Sequence, residues 1–189
     1  MNAPLKPLFA LLALLALPPS VAQAEASPPE QARAAVQAFA AALKGELMAA
    51  MQTGGPIAAI EVCNTRAPAI AEAVSLEQGV EVHRVSLKNR NPQNAPSDWQ
   101  RDVLLQFEER KAAGEDPAAL TWTDTVATPT GDEYRFMKAI PTGGLCLGCH
   151  GQAIAPAVAE KIAELYPQDA ATGYREGDIR GAFVVIDKS

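Results

Sequence analysis

Two thiols three residues apart, followed at once by an imidazole, can perform one particular piece of chemistry. Cys146-Leu147-Gly148-Cys149-His150 reads C-x-x-C-H, the attachment pattern of c-type haem. Each thiol can add to one vinyl group of a haem, giving two thioether bonds. The imidazole of the next residue can then swing under the ring and bind the iron as its proximal ligand. Pro141-Thr142-Gly143-Gly144 leads into this loop and Gly151 follows it. Glycine lets backbone approach a flat ligand closely and take positive φ without strain.

Two other chemistries use the same residues: a thioredoxin-like dithiol and a zinc site. There is no second C-x-x-C, so an all-cysteine zinc site is excluded. Cys63, Cys146, Cys149 and His150 could form a set of three cysteines and one histidine. That set is awkward, because the adjacent Cys149 and His150 would both have to face one metal. With 3 Cys and 2 His in 189 residues, a chance C-x-x-C-H is improbable. The expectation is one covalent haem per chain.

A haem iron held by His150 has one axial place left, and the residues leave several candidates open. His83 is the other histidine and Cys63 the other cysteine; Met48, Met51 and Met137 are the methionines outside the N-terminal leader. Met48 and Met51 fall near the end of a helix and Met137 on a strand, where methionine usually packs in the core. His83 falls on a strand, as a half-exposed residue. Cys63 falls on an apolar helix stripe, where free cysteine often acts as a small buried hydrophobe.

The elements that must position these groups can be read in order. Ser27-Pro28-Pro29-Glu30 is a capping box with proline at the helix start, and Val36, Phe39, Leu43 and Leu47 follow at helical spacing. These predict a long amphipathic helix over 28–51, ended by Thr53-Gly54-Gly55-Pro56. Ile60, Cys63, Ala67, Ile70 and Val74 form one stripe of a second helix. Pro68 should kink or split it. Val80 to Leu87 predicts a strand with a phase break near His83 and Arg84, then a polar loop over 88–96. Ser97-Asp98-Trp99-Gln100 starts a helix with Trp99, Val103 and Phe107 on one face. Strands follow over 119–126 and 133–140, joined by Pro129-Thr130-Gly131-Asp132. After the haem loop, Val158, Ile162 and Leu165 mark a short helix stopped by Pro167. Gly181 to Asp187 is a last strand, apolar on both faces and so central. The sum is an α+β domain with an antiparallel sheet, N-terminal helices and the haem loop near the C-terminus. Ordinary small cytochromes c are nearly all helix and carry C-x-x-C-H near the N-terminus, so the attachment chemistry here sits on another fold.

The N-terminus reads as a leader. Lys6, a ten-residue apolar run from Leu8 to Leu17, and Ala22-Gln23-Ala24 make a signal peptide over 1–24, cleaved before Glu25. The run is too short to span a bilayer. A soluble, exported, periplasmic domain over 25–189 is expected, in the compartment where bacterial haem c is attached. The formal charge is −6; without the leader, 15 basic residues stand against 22 acidic, giving −7. That sign argues against nucleic acid and anionic membrane surfaces as partners. Phe136, Leu145 and Ile60 are the apolar side chains expected against the haem faces. Arg90, Lys88 and Arg84 are the cations expected near its propionates.

Further motifs run the length of the chain. Ile60-Glu61-Val62-Cys63 comes first, with Ala67-Pro68, Ile70 and Ala71. Arg84-Val85-Ser86-Leu87-Lys88-Asn89-Arg90-Asn91-Pro92-Gln93-Asn94 precedes the C-x-x-C-H. Tyr166-Pro167, Ala171-Thr172-Gly173-Tyr174 and Gly177-Asp178-Ile179-Arg180-Gly181 close the series. In this order they resemble a family of single-haem c-type domains with a PAS-like fold, found as stand-alone exported haem proteins and as periplasmic sensor modules of membrane receptors. The resemblance implies a PAS-like sheet and an axial pair of His150 and Cys63. No family histidine matches His83.

Two function classes follow. One is a redox or small-gas sensor for NO or CO, in which ligand exchange at Cys63 is read by a protein partner. The other is a low-potential soluble electron carrier, whose acidic surface would steer it to a basic partner. An enzyme is not expected: the sequence offers no Ser/His/Asp set, no spaced carboxylate pair and no free distal acid or base.

Overall fold

The computed structural model describes residues 26–188. The expected signal peptide over 1–24 lies outside the described residues. Helix α1, Pro28–Glu61, opens with the expected capping box, in which the Ser27 N–H donates to Glu30 Oε2 at 3.0 Å. It bends where Gly55 takes φ 67° and ψ −160°, a conformation closed to residues carrying a Cβ, with Pro56 next. The bend is a reversal. Glu46 and Arg66, 20 residues apart, form an ion pair at 2.9 Å, whereas a straight helix would separate them by about 30 Å.

Pro68 splits the second stripe, as its position predicts, but through a widened turn rather than a gap. A π-turn, Val62–Arg66, leads directly into α2, Ala67–Gln78. Proline has no N–H to give the Asn64 carbonyl, and its ring would crowd that carbonyl in a regular helix. With the Ala67 N–H reaching back to the Val62 carbonyl, five residues away, the mismatch is taken up in one turn. Cys63 lies on this turn.

Strands β1 (Glu81–Val85), β2 (Thr121–Thr128), β3 (Gly131–Pro141) and β4 (Ile179–Asp187) form one antiparallel sheet in the order β1-β4-β3-β2. β4 is central, as its unbroken apolar run predicts. Helix α3, Asp98–Ala112, covers one face and the helical hairpin of α1 and α2 covers the other. Val36, Phe39, Ile70 and Val74 pack on Val82, Phe136 and Val185. Val103, Leu104 and Phe107 pack on Val85, Met137 and Val184. The phase break in β1 now has a cause: the strand is covered on both sides. His83 turns toward α3, with Nε2 3.1 Å from Gln100 Nε2, and Arg84 turns toward α1, over the Phe39 ring.

The C-terminal third carries a short helix α4 (Leu147–His150), preceded by a 3-10 turn over Gly144–Cys146, and then α5 (Pro156–Leu165). Ile60, Val158, Ile162 and Tyr166 form a third core that ties α5 to the returning arm of α1. This α+β arrangement, with a four-stranded antiparallel sheet and N-terminal helices, is compatible with a PAS-like fold. No helix among the described residues is long and apolar enough to cross a membrane.

Candidate functional site

The helical hairpin, the third core and one end of the sheet enclose a cavity of about 370 Å³. That volume lies within the range of small-molecule and cofactor sites. Cys146, Cys149 and His150 line it from the late loop, and Cys63 lines it from the early π-turn. Residues more than 80 positions apart in sequence thus share one apolar space. All three cysteines are free thiols. No group of three or more His, Cys, Asp and Glu side chains among the described residues converges on a point that could hold a metal ion.

The loop owes its shape to Gly151. A Cβ there would meet the Leu147 carbonyl oxygen at 2.5 Å, so only glycine permits the tight return after His150. His150 is oriented by its second nitrogen. Nδ1 lies 2.7 Å from the Ala171 carbonyl oxygen, which can only accept, so Nδ1 carries the proton and Nε2 keeps a free lone pair. Burial, with the charges of Arg180, Arg90 and Arg84 adding and the Ala171 bond opposing, lowers the His150 pKa to about 3. The imidazole is neutral, the form that binds iron. Burial pushes the Cys149 thiol up, against the pull of Arg90, with Cys63 and Cys146 close enough to add.

Beneath the loop lies an ion pair that the residue types alone do not reveal. Arg90 reaches Asp169 with Nε and Nη2, both at 3.1 Å, and the two side chains are 7% and 8% exposed. The same Nη2 donates to the Cys149 carbonyl at 2.6 Å and to the Ala171 carbonyl at 3.3 Å. Asp169 in turn accepts the Ala171 N–H at 2.8 Å. The carbonyl that orients His150 is therefore itself held by this pair. Arg90 lines the cavity, as expected, but its visible work is to fasten the loop.

The other expected residues divide. Arg84 and Ile60 line the cavity, and Leu145 stands at its mouth, 71% exposed. Lys88 does not reach this cavity: its ammonium donates to the Thr172 carbonyl and lies over the Tyr174 ring. Phe136 is buried between the sheet and α1, and Phe183 lines the cavity instead. His83 is engaged with Gln100, and Met137 is fully buried on the α3 side. Met48 and Met51 do line the cavity.

Arg180 is the residue that sequence reasoning passed over. It lines the cavity, with Nη1 bound to Ser86 Oγ at 3.0 Å and the Lys88 carbonyl at 3.3 Å. Its buried Nε has no hydrogen-bond partner. Burial lowers the pKa of Arg180 and of Arg84 alike. What opposes burial at Arg84 is Cys63 and Tyr166, not a carboxylate. Two desolvated cations at the wall of an apolar space suit a ligand that is flat, apolar and anionic at one edge. A signal existed, since Arg180 is the sole charge between Ile179 and Ile186.

The model of the Tll0287-like family (Tll0287) matches residues 21–186. The crystal structure of the cyanobacterial heme-protein Tll0287 superposes with a TM-score of 0.60 at 25% identity, covering 85% of this chain and 95% of that one. No curated protein matches.

Proposed function

The chain belongs to the Tll0287-like family, and from that premise we propose an exported periplasmic protein carrying one haem c, which senses redox state or a small gas such as NO or CO. Its signal peptide is residues 1–24 and its haem domain 25–189. The heme-protein relative supports haem as the cofactor. The observation that carries the reading is local to this chain: the C-x-x-C-H thiols, a neutral His150 with Nε2 free, and Cys63 from a distant helix all line one apolar cavity. The unpartnered Nε of Arg180 and the buried Arg84 fit an anionic edge such as two propionates, with Arg90 adding its charge from the loop side.

On this reading Cys146 and Cys149 form the thioethers, His150 is the proximal ligand and Cys63 the distal one. The bound haem supplies a one-electron iron couple and an axial place for exchange. A Cys63 thiolate is a strong donor, favours ferric over ferrous iron and so lowers the potential. Cys63 would be the exchangeable holder of such a haem, and so the point at which a small gas could compete for the iron. The role is not enzymatic. Optical and EPR spectra of the Cys63→Ala protein test the ligand set: the thiolate signature of the ferric iron should be lost, and an unchanged spectrum would overturn it.

A low-potential electron carrier is the second reading, favoured by the exposure of Leu145 beside the cavity mouth, an apolar contact point of the sort redox partners use. Binding of CO or NO only after reduction favours sensing. Iron that stays closed to both gases in both oxidation states favours electron transfer.

A further inference from the structure

We propose that Met48 is a second axial ligand of this site, taking in the reduced protein the place that Cys63 holds in the oxidised one; the proposal rests on the haem reading above. Met137 is fully buried on the other face of the sheet, which leaves Met48 and Met51 as thioethers at the cavity. The helical reversal brings the segment of Met48 back alongside that of Cys63, and both residues line the cavity. Glu46 and Arg66 meet at 2.9 Å and lie equally far on either side of Pro56. By the same count Cys63 lies level with position 49. Ala49 itself is exposed, whereas Leu47 and Met48 are half-buried and line the cavity. Met51 lies one turn nearer the bend and is 36% exposed. Thiol and thioether thus share one wall of the cavity, on neighbouring arms of one hairpin.

Elementary ligand chemistry supplies a reason for two sulphurs. Thiolate, an anion, favours ferric iron; thioether, neutral and soft, favours ferrous. When a one-electron reductant of the dithionite class reduces the iron, Cys63 releases its bond to the metal and takes up one proton from water. Met48 then donates a sulphur lone pair to the vacated position. The exchange consumes one electron and one proton, and oxidation reverses both. Cys63 sits on a π-turn rather than a regular helix, and single π-turns inside helices occur frequently at functional sites. A gas then competes with Met48 instead of entering an empty place, so Met48 sets the concentration at which it binds.

The test uses the haem-loaded protein reduced with dithionite. Proton NMR of the diamagnetic reduced protein should show a methionine methyl shifted far upfield by the haem ring current. The signal should persist in Met51→Leu and vanish in Met48→Leu, a substitution of nearly equal volume that the wall should tolerate. If Met48 holds the place in about nine molecules of ten, Met48→Leu should bind CO about tenfold more tightly. Absence of the shifted methyl in the reduced wild type, or its survival in Met48→Leu, overturns the proposal. A wild type with a normal haem spectrum and loss of the thiolate signature in Cys63→Ala, but no shifted methyl, defeats this proposal alone. A protein with no haem spectrum defeats the reading beneath it.

Discussion

Asp169→Asn changes one charge and almost no volume, and it strikes the support on which the His150 loop rests. The substitution leaves Arg90 buried, 7% exposed, without a counter-charge. The amide oxygen can still accept from Arg90 Nε and from the Ala171 N–H, but the amide NH2 would face Arg90 Nη2 donor to donor, so one hydrogen bond is lost with the charge. Breaking one partner of a buried pair costs about 3–5 kcal/mol, far above the roughly 0–1 kcal/mol of a surface pair. Solvent screening offers little relief, since both side chains are under a tenth exposed. For a domain of this size each kcal/mol lowers Tm by about 2–4 °C, so a fall of roughly 6–20 °C is expected. The Arg90 bonds to the Cys149 and Ala171 carbonyls should loosen with it. Thermal unfolding of the haem-loaded protein followed by far-UV circular dichroism reads the first effect, and the ferric spectrum reads the second. A loss below about 1 kcal/mol, the worth of an exposed pair, would refute the claim that this pair is desolvated.

Pro68→Ala restores the N–H that a regular helix needs, and closing the π-turn into an α-turn would rotate Cys63 by about 100°. The protein should keep its fold and lose low-spin ferric character, and retention of that spectrum would separate the π-turn from ligation. Arg180→Gln removes a buried cation from the cavity wall, which favours the more positive ferric state, so the midpoint potential in a spectroelectrochemical titration should fall; an unchanged potential would place Arg180 away from the iron's field. His83 is held below the usual histidine value of 6.5 by burial, against the pull of Glu81. The unfolded chain accepts a proton there that the folded one resists, so stability declines as pH drops below 6.5. His83→Gln should flatten that decline in denaturant midpoints measured across the window, and an unaltered slope would show that His83 does not carry it.

The parts of the fold set by neighbouring residues were legible in the chain. Ser27 and Ser97 begin helices because each capping box closes within a single turn. The place of the hairpin turn and the central place of β4 follow from turn chemistry and from a run apolar on both faces, although the turn is tighter than expected, with Gly131 and Asp132 already in β3. Pro68 announced a disruption, but proline specifies only that a regular turn fails, and a gap, a kink and a π-turn all answer that.

The site was half legible for a related reason. Cys146, Cys149 and His150 are adjacent, so spacing alone defines them. What surrounds them comes from elsewhere in the chain and depends on register. Phe136 and Phe183 face the same side of the sheet, toward α1, so alternation cannot tell the one in the core from the one at the cavity; only their places along the strands differ. The basic residues of the polar loop looked interchangeable. The crossing segment at Asp169 to Tyr174 sorted them, giving Arg90 a carboxylate and Lys88 a carbonyl.

Iron K-edge X-ray absorption on the ferric protein, as isolated with its haem, tests the central claim most directly. One sulphur among the nitrogen neighbours of the iron is the result predicted here. A first shell of nitrogen and oxygen alone, or a protein without iron, would contradict it.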